Sequence, residues 1–135
     1  MISSDKNIGT DTKATLSTLW IFLLFNITFH HLHDFFRPGL LEEMMTGIVD
    51  GNQVTDELIL VGSIMMEIPI AMVLLSRILN YRVNRWLNII AGTIAISLII
   101  GTGVKDLDDI FFAIIEVVSV SIIIWTAWKW SKKES

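Results

Sequence analysis

From Leu58 to Leu79 the chain reads LILVGSIMMEIPIAMVLLSRIL, with a single carboxylate, Glu67, and no second charge before Arg77. A helix rises about 1.5 Å per residue, so this stretch covers the roughly 30 Å of hydrocarbon in a bilayer. Three more stretches share its character, at residues 15–36, 86–104 and 109–128. About 50 residues remain outside the four, too few for a soluble domain with its own core. The expected fold is an all-α four-helix transmembrane bundle, one membrane domain over residues 1–135 with a loop at 37–57. This arithmetic excludes a globular enzyme carried on a membrane anchor.

Composition agrees. Hydrophobic residues make up 53% and charged residues 18% of the 135, against about 45–50% and about 25% in soluble domains. With no cysteine there are no disulfides, thiolate metal sites or cysteine nucleophiles. A net charge of −4 argues against a nucleic-acid partner. Lys6 and Lys13 precede the apolar run Leu16–Phe25 as they would in a signal peptide, but no small-x-small cleavage site follows, so this span is expected to stay. Pro69 removes a backbone donor inside the second span and predicts a kink there. Asp108 or Asp109 is placed to cap the fourth span. In the third span Thr93, Ser97 and Gly101 form a small-residue stripe along which a neighbouring helix can approach.

Cationic residues set the expected orientation. Lys6, Lys13, Arg77, Arg82, Arg85, Lys129, Lys132 and Lys133 fall on one side, and only Arg37 and Lys105 on the other. Both termini are therefore expected in the cytoplasm, with the protein in the cell's inner membrane. Trp20, Tyr81, Trp86, Trp125, Trp128 and Trp130 lie toward the same interface. Arg77, Arg82 and Arg85 are candidates for anionic lipid headgroups, although topology alone also accounts for them. In the loop, Pro38-Gly39 starts a turn and Leu40–Thr46 predicts a short helix on the membrane surface. Asp50-Gly51, between Ile48-Val49 and Gln53-Val54, predicts a hairpin. Thr55, Asp56 and Glu57 suit the start of the second span.

The run MEIPIAMVLLSR from Met66 to Arg77, continuing as YRVNRWLNIIAG from Tyr81 to Gly92, resembles the central signature of a family of small prokaryotic membrane proteins of unknown function. The ending Trp125–Trp130, WTAWKW, resembles the same family's C-terminus, and the loop Gly47–Thr55 is also similar. The resemblance covers nearly the whole chain and implies a four-span inner-membrane protein, with no established activity to carry over. Where that family's first span often ends in a tyrosine-rich stretch before an aspartate, this chain has His30, His31 and His33 before Asp34.

Ionisable groups at bilayer depth cost roughly 2.5–3.5 kcal/mol on insertion scales and usually face a bundle interior or water. On the first span Asn26, His30, His33, Asp34 and Arg37 fall on one stripe at about 100° per residue, with His31 pointing elsewhere. Glu67 lies near the middle of the second span, and Glu116 about two turns in from the outer end of the fourth, at the depth of His30. The candidate site is therefore a polar cluster of Asn26, His30, His33, Asp34, Glu67 and Glu116 opening outward, with Ser63 and Ser119 completing its hydrogen bonds. The alternative has both carboxylates neutral in interhelical contacts, the histidines at headgroup level, and Asp34 paired with Arg37. His30, His33 and Asp34 have a usable metal-ligand spacing, but such triads are common by chance, and no metal or other cofactor is assigned. Haem would need axial ligands on two faces, and every histidine sits on one helix. No phosphate-cradling loop or nucleophile elbow is present.

Three functions stay open. The first is a small structural or interaction bundle, held in the lipid bilayer and binding itself or another membrane protein. The second is a proton-linked transporter or channel using Glu67 and Glu116. The third is a membrane redox protein acting on a lipid-soluble substrate. The residue pattern leans away from an enzyme.

Overall fold

The computed structural model describes residues 2–132, with side chains from Asp11 onward. Lys6 and Lys133, counted in the charge balance above, lie outside the described side chains. The elements in chain order are α1 (Ile2–Asp34), α2 (Leu40–Thr46), β1 (Ile48–Val49), β2 (Asn52–Gln53), α3 (Asp56–Ile78), α4 (Tyr81–Thr102) and α5 (Leu107–Lys129). The four long helices, α1 from Asp11, α3, α4 and α5, are each long and apolar enough to cross a membrane.

Local chemistry fixes their ends. Thr55 caps α3 by accepting from the Leu58 N–H at 3.2 Å. Asn80 does the same for α4, accepting from the Val83 N–H at 3.2 Å, so that helix begins at Tyr81 rather than at Trp86. The cap of α5 is Asp106, not Asp108 or Asp109. Asp109 sits in the first turn and reaches back, its Oδ2 accepting from the backbone N–H of Lys105 at 2.7 Å and of Asp106 at 3.2 Å. The loop helix α2 spans Leu40–Thr46, and the hairpin pairs Ile48 with Gln53 and Val49 with Asn52. Its turn residues Asp50 and Gly51 have φ of 50° and 77°, the left-handed pair of a type I′ turn.

Around the bundle the order is α1, α3, α4, α5. α1 packs along α3 and α5, and α4 along α5, whereas α3 and α4 meet over a much shorter seam. The densest packing lies toward the termini and the α3–α4 elbow. There Leu16, Trp20 and Leu23 of α1 meet Met72 of α3, Ala91 of α4, and Val120 and Ile123 of α5. The same half holds a buried polar network. Trp20 Nε1 donates to Asn88 Oδ1 at 2.7 Å and Ser76 Oγ donates to the same oxygen at 3.3 Å. Asn88 Nδ2 donates to Asn84 Oδ1 at 2.7 Å, and Asn84 Nδ2 donates to the Ser76 carbonyl at 2.7 Å. Trp20 is thus a fully buried core residue and not an interfacial anchor.

Among the described residues no helix packs on the small-residue stripe. Thr93, Ser97 and Gly101 are exposed on the outside of α4, and the two hydroxyls donate to carbonyls of their own helix, at Ile89 and Thr93. Close approach occurs instead at Gly92, where a Cβ would fall 2.7 Å from Ile124 Cγ1. The missing Cβ of Gly92 is filled by α5.

Candidate functional site

α3 and α4 meet over a short seam, and their loop-end halves line a cavity of about 810 Å³. The α3 wall is apolar, built from Leu58, Val61, Met65, Met66 and Pro69. Ile94, Leu98 and Ile99 of α4 face it. The polar wall comes from His30 and Asp34 on α1, joined by His31 against the expectation that it points elsewhere, and from Asp109 and Glu116 on α5. Arg37, Asp50 and Lys105 of the loops lie at the top.

Helical spacing assembles the polar wall. His30 and Asp34 are one turn apart, and Asp109 and Glu116 two turns apart, so each pair shares a face. His30 lies between the two α5 carboxylates. Its Nε2 is 3.0 Å from Asp109 Oδ1 and its Nδ1 is 3.3 Å from Glu116 Oε1. The ring is stacked on Phe112, with centroids 4.9 Å apart and planes 11° apart, and lies beside His31 at 5.9 Å. Its side chain is 19% exposed, against 11% for Asp109 and 5% for Glu116. Atoms of His30, Asp34 and Asp109 all lie within 4.8 Å of one another. A neutral imidazole carries one N–H, yet here both ring nitrogens face a carboxylate oxygen. With both carboxylates ionised, one ring nitrogen donates and the other is left against an acceptor unless a further proton or a cation lies there.

The expected cluster is brought together only in part. Glu67 is exposed on α3 and makes no hydrogen bond or ion pair among the described residues. α3 buries Pro69, Met72 and Ser76, and Glu67 falls on the opposite face of the helix. Glu67 and Glu116 thus do not share a cavity. The Asn26 amide donates to the Phe22 carbonyl of its own helix at 2.9 Å, and the side chain lines a separate shallow surface pocket. His33 is exposed, with Nδ1 3.1 Å from Asp108 Oδ2. Ser63 and Ser119 bond within their own helices, to Ile59 and Ile115. Arg37 faces Asp50 at 3.9 Å rather than pairing with Asp34. Asp109 is the member that sequence reasoning misses, because it reads there only as a helix cap. Its seven-residue spacing from Glu116 is the signal that could have found it.

The loop charges form a clasp. Lys105 Nζ donates to Asp50, and Arg37 stands on the other carboxylate oxygen. The hydrogen bond from Lys105, with the charges of Lys105 and Arg37, holds the Asp50 carboxyl below its ordinary pKa. At the other end of the bundle Arg77 and Arg82 are exposed. Arg85 is committed internally: Nη2 donates to the Trp128 carbonyl at 3.1 Å, and the guanidinium lies 5.8 Å from the Trp128 ring centroid. Tyr81 Oη donates to the Trp130 carbonyl at 2.9 Å, so the C-terminal end of α5 is tied to the start of α4.

No curated protein and no solved structure matches the chain. One family model matches residues 7–135, and the chain accordingly belongs to the family of unknown function DUF6326.

Proposed function

We propose that this protein binds a membrane-dissolved small molecule with a neutral, hydrogen-bonding head. The molecule enters between α3 and α4 and sets its head against His30, Asp109 and Glu116. The observation that carries this reading is one cavity with apolar walls on α3 and α4 and a single titratable wall behind them. Its volume of about 810 Å³ is in the range of small-molecule sites, roughly 300–1,000 Å³. Three carboxylates beside the His30 and His31 imidazoles disfavour an anionic head. Carbonyl or hydroxyl oxygens, such as those of a quinone, find both a donor and acceptors there. A pathway linking Glu67 to Glu116 has no support in this geometry, because only Glu116 faces the cavity.

The test is thermal unfolding of purified protein titrated with a short-chain benzoquinone or with laurate. The quinone raises the Tm and laurate does not. Gly62 lines the cavity with open space around a Cβ built there, so Gly62→Trp sets an indole in it and diminishes the shift. Equal shifts with both compounds, or an undiminished shift in Gly62→Trp, would overturn the reading.

The cationic residues support an inner-membrane location with both termini cytoplasmic. The chain has no cysteine, so Gln53→Cys and Ser131→Cys each introduce one label site. An impermeant maleimide added to intact cells should label the first and spare the second. Glu67 favours self-association as a second reading. A carboxyl facing lipid costs roughly 2.5–3.5 kcal/mol, and a second copy would cover it. A dimer in mild detergent that Glu67→Leu dissolves is the expected result. A monomeric wild type refutes it.

A further inference from the structure

We propose that His30, Asp34 and Asp109 form a binding site for a divalent transition-metal cation. The inference uses the wall of the cavity discussed above but does not depend on any organic ligand there. Its first support is convergence: one imidazole and two carboxylates, from two helices, present atoms all within 4.8 Å of one another.

The second support is independent and concerns lone pairs. Glu116 lies on the Nδ1 side of His30 at 3.3 Å and is nearly fully buried. In the tautomer that carries its single N–H on Nδ1 and donates it to that carboxylate, Nε2 is left bare. The bare nitrogen then faces Asp109 Oδ1 at 3.0 Å, one acceptor against another. A cation between them converts that repulsion into two bonds. Histidine with its outer N–H on a carboxylate and its inner nitrogen on a metal is a recurring ligand arrangement.

The remaining ligands are also prepared. Backbone N–H groups of Lys105 and Asp106 occupy Asp109 Oδ2 and leave Oδ1 facing His30. Asp34 accepts no side-chain hydrogen bond among the described residues, so its carboxylate is available. The cationic heads at the top of the cavity are engaged with Asp50 and do not neutralise the wall. One imidazole nitrogen with two carboxylate oxygens suits Zn²⁺, Fe²⁺ or Mn²⁺, and three protein ligands leave a coordination position open.

The experiment is Co²⁺ titration of detergent-purified, chelator-stripped protein, followed by visible absorption and by calorimetry. One Co²⁺ per chain is expected, displaced by Zn²⁺. His30→Ala abolishes binding, and Glu116→Gln weakens it about 10–100-fold. Asp34→Asn, which breaks no described side-chain bond, weakens binding at least tenfold with an unchanged melting curve. Wild-type protein that takes up no Co²⁺ would mean that His30 holds only a proton, and would overturn the site. Uptake that is the same in Asp34→Asn or His30→Ala also overturns it. The quinone titration is run on stripped protein, so loss of quinone binding with Co²⁺ uptake intact condemns the organic ligand alone, and the converse condemns the metal alone.

Discussion

Asn88 joins three helices through one amide: its oxygen receives Trp20 from α1 and Ser76 from α3, and its nitrogen reaches Asn84. Asn88→Ala leaves the indole N–H without a partner in an interior that excludes water. A loss of about 1–3 kcal/mol is expected, read from reversible unfolding in detergent. Gly92 and Gly101 make a second contrast. The Cβ of Gly92→Ala meets Ile124 at 2.7 Å, and relieving it should cost about 1–3 kcal/mol. Gly101 has nothing within 4 Å, so Gly101→Ala should leave the melting point where it is. At this scale the amino-acid order is a partial guide. The stripe of Asn26, His30, His33 and Asp34 is visible in it, because residues on one helix keep a known angular spacing. Which member meets another helix is not visible, because that depends on the rotation of α5 and α3 about their own axes. Glu67 shows the difficulty best. Its depth is legible from counting, but its face is set by the burial of Pro69, Met72 and Ser76 on the opposite side of α3.

The short elements between the long helices follow local rules, and they are the most legible part of the chain. Leu40–Thr46 forms the expected helix, and Asp50-Gly51 forms the expected tight turn, because a left-handed pair of residues needs glycine or a small polar side chain. The caps are harder where several aspartates compete: Asp106 takes the position offered to Asp108 or Asp109. The clasp on this loop gives a pH prediction. Asp50 has a depressed pKa in the folded state, so its contribution is fully present above its unfolded value, about 3.9, and is lost as pH falls through the lower folded value. A carbon-detected NMR titration of the Asp50 carboxyl should give a midpoint below the ordinary range. Lys105→Met should move it back up, and raised salt should do so partly, since the pair is exposed.

Taken whole, the molecule is closed at one end and hollow at the other. Four apolar stretches of membrane-spanning length make the bundle readable from the order of residues alone. The hollow is not readable in that way, since it goes with a difference in seam length between two neighbouring pairs of helices, which no single-helix pattern encodes. Trp130 is 2% exposed, although it follows the last residue of α5, and its carbonyl is held by Tyr81. The closed end is thus bolted shut by a residue beyond the final helix. Anyone attaching a reporter or purification handle should join it after Lys132, because a junction placed at Lys129 would unfasten the latch between the end of α5 and the start of α4.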